Sequence, residues 1–383
     1  MNRSREINKK LDTAESDRAT SLHISANDLE SEDRYPEAEV LHRKAVEIRE
    51  KVLGPEHTDT AQSLNSLAVN VNKQGRYSEA EPLFRRVLEI FEKVLGPEHI
   101  DTAQSLTNLA ANVDKQDRYS EAEPLFKRVV EILEKVMGPE HPDTARTLNN
   151  LGMNLDHQGK YSEAEPYFKR ALKIMKKGVG PKRLDIIRVL NNLADNLENQ
   201  GRYAEAEMPY RRVLGIMEKV FGQKHPAITT SLSSLAFNLN RQSKYSEAEA
   251  LYTRELKIAE KEFGPEDPNT ATALHSLAMN LHSQERYAEA EPLVKRALEI
   301  FEKELGSEHP DTVFSSNNFA ISLNKQGRYA EAEPFFRRAL EVFEKRLGPE
   351  HPDTERTLNN LMNNLNKQGK DSEAKEIQKK YQK

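Results

Sequence analysis

A tyrosine that recurs every 42 residues constrains the fold of this chain more than any other feature. Eight segments carry it at the same place, as Tyr35, Tyr77, Tyr119, Tyr161, Tyr203, Tyr245, Tyr287 and Tyr329. Asp371 takes the ninth place, and no insertion or deletion shifts the register. A fixed period of this length is typical of repeat arrays, in which each repeat packs only on its neighbours. We therefore predict one array, not the roughly two or three compact domains that a length of 383 residues favours.

The repeats occupy residues 19–383 and follow a polar segment over residues 1–18. They start near residues 19, 61, 103, 145, 187, 229, 271, 313 and 355. Positions are numbered within each repeat, so that Ala61 is position 1 of the second repeat. The first repeat has Ser25 at an otherwise apolar position, and the last ends in the polar sequence KEIQKKYQK. Because polar terminal repeats keep an array soluble, we expect these two to cap a single array, with a polar tail ahead of it.

Each repeat is predicted to form two helices, A and B, joined by a tight turn. In the second repeat, positions 4, 7, 8 and 11 hold Leu64, Leu67, Ala68 and Val71, the spacing of one buried helix face. A glycine follows helix A in most repeats and predicts a turn residue in the left-handed conformation. Asp117, Ser243 and Glu285 replace this glycine in other repeats. We therefore expect the turn to tolerate a side chain.

Further predictions concern the helix ends. Ser78 and Glu81, at the start of helix B, fit a capping box. Near the junction of the fourth and fifth repeats, Gly178 interrupts the end of one helix B and Gly215 sits inside the next helix B, which predicts a softer joint near residues 176–187. One linker slot before helix A holds a histidine in six repeats, at His57, His99, His141, His225, His309 and His351. Other repeats place Arg183 or Asp267 there, which indicates a turn residue and not a metal ligand or a catalytic base.

The apolar stripe of helix A, the tyrosine at position 17, the alanine at position 20 and the aromatic residue at position 24 resemble the tetratricopeptide repeat. Ala80 and Phe84 hold the last two places in the second repeat. The period exceeds the usual length of about 34 residues. LNNLA in helix A and AEPLFKR in helix B resemble the repeat of kinesin light chains. The resemblance implies an all-α, right-handed superhelical solenoid of nine tandem helical hairpins, with the A helices lining a concave groove.

The resemblance to kinesin light chains is incomplete. Those proteins carry a long coiled coil ahead of their repeats, whereas 18 polar residues precede the repeats in this sequence. Leucine also takes the place of the family's tryptophan at position 4. We therefore expect a protein with this type of repeat and not a motor subunit.

Composition excludes several functional classes. The chain has no cysteine, which excludes disulfides and cysteine-based sites and favours a reducing compartment. Neither a signal peptide nor an apolar run of about 18 residues is present, and a net charge of −5 gives no general attraction to nucleic acid. No phosphate-binding loop, zinc-protease motif or serine-hydrolase motif occurs. We expect a cytoplasmic protein that is not an enzyme, binds no cofactor or metal, and contacts neither membrane nor nucleic acid.

If positions 4, 7, 8 and 11 of helix A face the core, positions 2, 6, 9 and 13 face roughly the opposite way. We therefore predict that these positions line a peptide-binding groove. The candidate residues are Lys73, Asn108, Lys115, Arg146, Asn150, Met153, Arg188, Asn192, Phe237, Arg241, Met279, Phe314, Asn318, Ile321, Lys325 and Asn360.

Each type of candidate residue has two interpretations. The asparagines at position 6 pair with the backbone of an extended peptide, or they bond neighbouring helices and water. The basic residues at positions 2 and 13 attract an acidic ligand, or they form a solvated face. Phe237, Met279, Phe314 and Ile321 hold an apolar anchor, or they belong to the core if the helix phase is shifted by one position. A second row of asparagines, at position 10, favours bonding between repeats; it comprises Asn70, Asn112, Asn154, Asn196, Asn238, Asn280 and Asn364.

These observations favour a protein–protein interaction scaffold whose ligand is an extended, acidic peptide segment with an apolar anchor. The alternative is a sensor or regulatory array that controls a separate effector enzyme in defence or signalling. A third hypothesis is a self-assembling structural array, since self-association is compatible with the same surface.

Overall fold

The computed structural model describes the backbone of residues 2–177 and 183–381. Contacts between residues divide the chain into two compact units, Met1–Gln200 and Gly201–Lys383. Over the described ranges all regular structure is helical, with eighteen α-helices and one 3-10 turn. Consecutive helices pack against each other within each unit. The fold is therefore an all-α solenoid of tandem helical hairpins, as predicted.

The first unit alternates A and B helices from its start. Its described helices are α1 (Asn2–Ser31), α2 (Tyr35–Leu53), α3 (Thr58–Lys73), α4 (Tyr77–Val94), α5 (Ile100–Asp114), α6 (Tyr119–Val136), α7 (Pro142–His157), α8 (Tyr161–Lys177) and α9 (Arg183–Asn199). Because α1 begins at Asn2, the segment expected to be a tail runs helically into helix A of the first repeat. The predicted joint near residues 176–187 includes residues 178–182, which lie outside the described residues.

The second unit continues the same alternation. Its helices over the described residues are α10 (Tyr203–Phe221), α11 (Thr229–Arg241), α12 (Tyr245–Glu262), α13 (Pro268–Ser283), α14 (Tyr287–Glu304), α15 (Pro310–Lys325), α16 (Tyr329–Leu347), α17 (Pro352–Lys367) and α18 (Asp371–Tyr381). A 3-10 turn, Pro226–Ile228, leads into α11. The odd-numbered helices are thus the A helices and the even-numbered ones the B helices throughout the chain.

The predicted apolar stripe forms the core of each repeat. Leu64, Leu67, Ala68 and Val71 of α3 are all buried, and Phe84 of α4 is buried with them. Burying one side chain of this size contributes about 1.5–3 kcal/mol, so each hairpin gains most of its stability from this face. Since neighbouring hairpins repeat the same positions, the core continues from one repeat to the next within a unit.

The turn after helix A is left-handed whether or not it contains glycine. Gly75 has a φ of 76°, and Asp117, Ser243 and Glu285 have φ values of 59°, 61° and 59°. The prediction that this turn tolerates a side chain is therefore confirmed. In one of these turns the carboxylate of Asp117 accepts a hydrogen bond from the Tyr119 hydroxyl at 2.5 Å, so a side chain at this place gains a local partner.

The linker histidines cap the A helices. The Nδ1 atom of His57 accepts a hydrogen bond from the backbone N–H of Asp59 at 3.1 Å, and His141 makes the equivalent bond to Asp143 at 3.2 Å. Asp267 caps α13 in the same way through its carboxylate. Each side chain satisfies one of the backbone donors that a helix start leaves unpaired. The interpretation as turn residues is confirmed, and their specific role is that of the N-cap.

The predicted capping box at the start of helix B is wrong. Helix α4 begins at Tyr77 with Arg76 at the N-cap, and no side chain caps it. Arg76 instead forms an ion pair with Glu79 at 2.5 Å. Glu81, the expected capping partner of Ser78, is bound by Arg85 of its own helix and by Arg118 of the next repeat, each at 2.6 Å. Two guanidinium groups outcompete a backbone N–H for this carboxylate because both members of each pair are charged.

One buried position breaks the apolar pattern. Repeat position 27 lies in helix B. It holds Val87, Val129 and Ala297 in three repeats, all of them buried, but Glu255 in α12. The carboxyl group of Glu255 is hydrogen-bonded to Ser233 of α11. Its Oε2 atom has no partner among the described residues. Burial raises the pKa of Glu255 to about 7.

Candidate ligand-binding face of the A helices

The side of the A helices that points away from the core is accessible. We call the side chains at positions 2, 6, 9 and 13 the A face. Phe237 and Phe314 on this face are 51% and 36% exposed, while Met153, Met279 and Ile321 are half-buried. The exposure of Phe237 and Phe314 disagrees with the core alternative, which needed a shifted helix phase. Ligand contact at the A face remains a prediction.

Several asparagines at position 6 bond the neighbouring repeat. In the first unit Asn108 and Asn192 donate to the side-chain oxygens of Asn65 and Asn149, at 2.8 and 2.9 Å. In the second unit Asn318 donates to Nε2 of His275, at 3.1 Å. In each case the acceptor is the position-5 residue of the preceding repeat. Bonding between helices therefore accounts for these three amides.

The remaining two asparagines at position 6 differ. Among the described residues neither Asn150 nor Asn360 has a side-chain hydrogen bond of this type. Both are half-buried. Their amides are therefore the ones whose donors stay available to a peptide backbone.

The asparagines at position 10 hold adjacent repeats together. Asn154 donates to Asp114 Oδ1 at 2.7 Å and to the backbone carbonyl of Tyr119 at 3.0 Å. In the second unit Asn280 bonds Asn240 and the Tyr245 carbonyl in the same way, at 2.9 and 3.2 Å. These amides are fully buried. The structural interpretation of this row is confirmed, and the recurring tyrosine supplies its carbonyl.

The basic residues of the first unit are mostly paired with carboxylates. Lys73 binds Glu30 at 2.9 Å, and this hydrogen bond raises the pKa of Lys73. Arg146 pairs with Asp143, and Arg188 pairs with Asp185 at 2.7 Å. No ion pair involves Lys115 among the described residues. The first unit is therefore less electropositive on its A face than the sequence predicts.

Two basic residues of the second unit, Arg241 and Lys325, lie on tyrosine rings. Arg241 donates to the Tyr203 hydroxyl at 2.7 Å, and its guanidinium carbon is 5.0 Å from the ring centroid. Lys325 Nζ is 5.9 Å from the centroid of Tyr287. A cation held over a ring keeps its charge, because the ring attracts it without neutralising it. In the described part of the second unit these two cations stand beside the apolar residues of position 9 without a carboxylate partner.

A crevice separates adjacent A helices and was not predicted from the sequence. In the second unit it has a volume of about 230 Å³ and is lined by Thr272, His275, Ser276, Phe301, Asp311 and Phe314. In the first unit the same repeat positions line a crevice of about 310 Å³, among them Gln62, Phe91, Asp101 and Gln104. The aspartate two residues before the repeat start was the available signal, since it recurs in most repeats.

His275 lines the crevice of the second unit as an uncharged imidazole. Asn318 donates to its Nε2 atom, so Nε2 carries no proton, and Nδ1 lies 3.0 Å from the Ser315 hydroxyl. An amide nitrogen is only a donor, which fixes the proton of the neutral ring on Nδ1. Burial lowers the pKa of His275 to about 4. The His275 side chain is therefore uncharged at neutral pH.

The hairpin geometry and its recurring positions agree with a known family model. The model of the tetratricopeptide repeat matches residues 17–93, 65–135, 115–177, 185–261, 227–303, 269–339 and 311–382. The chain belongs to the tetratricopeptide repeat family. This repeat model is not that of a catalytic family. No curated protein gives a significant sequence match.

Several solved structures resemble the chain at low identity. A kinesin-light-chain-type protein of Podosopora anserina with nearly identical TPR-like repeats is 23% identical, covering 54% of this chain and 98% of its own, with a TM-score of 0.48. The apo quorum sensor NprR of B. thuringiensis is 14% identical, covering 93% of this chain and 98% of its own, with a TM-score of 0.57.

A third match is a signal-transduction ATPase of Pyrococcus horikoshii with a tetratricopeptide repeat sensor. It is 14% identical and covers 90% of this chain and 52% of its own, with a TM-score of 0.54. At these identities the matches to NprR and to this ATPase show the shared fold and nothing about ligands. Among the described residues of this tetratricopeptide repeat chain, no helix has the length and apolar character needed to cross a membrane.

Proposed function

We propose that this tetratricopeptide repeat chain is a cytoplasmic protein–protein interaction scaffold that binds an extended peptide segment on its A face. The observation that carries the proposal is the surface of the second unit. There Phe237 and Phe314 are exposed, and Met279 and Ile321 are half-buried, on consecutive A helices. Apolar side chains grouped on an accessible face are typical of a site that anchors a partner.

The A face of the second unit combines these apolar residues with cations. Arg241 and Lys325 lie at position 13, at the C-terminal ends of α11 and α15, and neither is neutralised by a described carboxylate. A peptide with an apolar anchor and an acidic residue matches both features, because opposite charge steers binding and fixes register. In the first unit Lys115 is the corresponding cation. An acidic ligand on the second unit is therefore proposed to contact Arg241 and Lys325, and one on the first unit Lys115, and not the arginines that already pair with aspartate.

Random 12-residue peptides displayed on phage and selected on the immobilised full chain test the proposal. We expect selected peptides to contain an apolar residue and an acidic residue. The variant Phe237→Ala/Met279→Ala should weaken their binding about a hundredfold or more, since each of the two buried apolar side chains contributes about 1.5–3 kcal/mol. Phe263→Ala is the matched control, because Phe263 is also exposed but follows the B helix α12.

Two outcomes contradict the proposal. One is that no peptide is enriched on the full chain. The other is that the control variant and the A-face variant lose the same affinity, which would place the binding surface elsewhere.

The alternative function, a sensor or regulatory array for a separate effector enzyme, uses the same face. It differs in the partner, which would carry a catalytic domain. Mass spectrometry of proteins captured from native lysate distinguishes the two. Light scattering over a range of concentrations tests the third hypothesis, self-assembly.

A further inference from the structure

In six repeats an aspartate in the first turn of the A helix is either covered or open. Its side chain is 48% to 57% exposed in three repeats, at Asp59, Asp101 and Asp311. It is only 16% to 33% exposed in three others, at Asp143, Asp185 and Asp353. The residue three positions later decides between the two states. An arginine follows each covered aspartate, whereas Gln62, Gln104 and Phe314 follow the open ones.

Arginine also closes the crevice described above. Between α7 and α9 the equivalent crevice is lined by Arg146, Asn149, Met175, Asp185 and Arg188 and retains only about 10 Å³. Arg188 Nη2 lies 2.7 Å from Asp185 Oδ1 at its edge. Where the sequence has arginines at these positions, their guanidinium groups therefore fill the crevice and pair with its aspartate.

The crevice of the second unit has the same aspartate and lacks the arginine. Its walls are Phe301, which is buried, and Phe314, whose ring packs edge-on against Phe343 with centroids 5.1 Å apart. Asp311 stands at the rim. His309 Nδ1 accepts the backbone N–H of Asp311, so that nitrogen has no proton to offer the carboxylate.

Size and charge together define the occupant. A volume of about 230 Å³ is below the roughly 300–1,000 Å³ typical of pockets for whole small molecules, which suits one side chain of a larger ligand. The carboxylate of Asp311 attracts a cation, and the neutral His275 does not oppose it. A guanidinium group both pairs with a carboxylate and stacks on an aromatic ring.

We propose that the crevice between α13 and α15 binds an arginine side chain of the peptide ligand, paired with Asp311 and stacked on Phe314. The inference rests on the proposed function, because the peptide on the A face supplies the arginine. Asp311 and Lys325 lie at opposite ends of α15, about 21 Å apart along the helix at 1.5 Å per residue. The ligand is therefore a peptide of mixed charge, with its basic residue toward Asp311 and its acidic residue toward Lys325.

A double-mutant cycle on a peptide selected from the random library tests the inference. The probe is a selected 12-residue peptide that contains arginine, compared with the same peptide carrying alanine there. Asp311→Asn should weaken the arginine peptide about ten- to hundredfold, as a hydrogen bond to a charged group predicts, and leave the alanine peptide unchanged. Asp353→Asn is the matched control, because Arg356 already pairs with Asp353 at 3.3 Å.

Phe314→Arg provides a second variant, since Arg188 and Arg356 occupy the same repeat position without disturbing their helices. It should weaken the arginine peptide more than the alanine peptide, because closing the crevice affects only the arginine, whereas loss of the Phe314 anchor affects both peptides. If peptides are selected but carry no basic residue, or if Asp311→Asn leaves their affinity unchanged, this inference is wrong while the proposed function stands. If no peptide binds the full chain, both are wrong.

Discussion

Glu255 of α12 is buried in the core with Ser233 of α11 as its hydrogen-bonding partner. Its pKa is raised to about 7 from an ordinary value of 4.5, because burial penalises the charged form. The folded chain therefore holds this proton up to about pH 7, while the unfolded chain releases it near pH 4.5. The contribution of Glu255 to stability is fully present below pH 4.5 and is lost as the pH rises through 7.

We predict that replacing Glu255 stabilises the protein mainly at high pH. The rise in the pKa of Glu255 corresponds to a loss of roughly 3 kcal/mol in the free energy of unfolding at high pH, at about 1.4 kcal/mol per pKa unit. Glu255→Val, the residue of Val87 and Val129 at this position, should raise the urea midpoint much more at pH 8 than at pH 4. Glu299→Gln, at an exposed site, is the control and should change the midpoint little at either pH. An equal increase in the urea midpoint at both pH values would contradict the raised pKa of Glu255.

The position-10 asparagines should be among the most sensitive polar sites. Asn154→Ala removes the donor shared by Asp114 and the Tyr119 carbonyl. We expect a loss of about 1–3 kcal/mol in the free energy of unfolding, because buried acceptors are left unsatisfied. Asn150→Ala, four residues earlier and without such bonds among the described residues, should change stability by less than about 0.5 kcal/mol. Urea denaturation of the two variants makes the comparison, and equal effects would argue against a bonding role for Asn154.

The linker histidines should be replaceable by another cap. His141→Ala should destabilise the protein by about 1 kcal/mol, the usual cost of losing an N-cap. His141→Asp should retain most of that stability, because Asp267 caps α13 in the equivalent place. Thermal unfolding monitored by circular dichroism distinguishes the variants. If His141→Asp is as unstable as His141→Ala, the side chain contributes through something other than capping.

Much of the fold could be predicted because the tyrosine period and the apolar stripe are local patterns with one spatial solution. Leu64, Leu67 and Val71 are buried as their spacing requires. The predicted capping box was wrong because Glu81 instead accepts a hydrogen bond from Arg118, which lies 37 residues away in sequence. A pattern confined to one helix start cannot show a competing partner in the next repeat.

The candidate site was predictable in its exposure but not in its electrostatics. The spacing of Phe237 and Phe314 placed them on the open side of the helix. Whether a charged residue there is free depends on side chains from other positions. Arg188, for example, looked available in the sequence and is paired with Asp185. The open Asp311 was missed because an aspartate at a helix start is normally explained by the helix dipole alone.

The central claim, that ligands bind the A helices, is tested most directly by photo-crosslinking. A selected 12-residue peptide carries benzophenone at its apolar position, and mass spectrometry maps the crosslinked residues on the full chain. The account predicts crosslinks to α11, α13 and α15, near Phe237, Met279 and Phe314. Crosslinks confined to the B helices α12, α14 and α16 would contradict it.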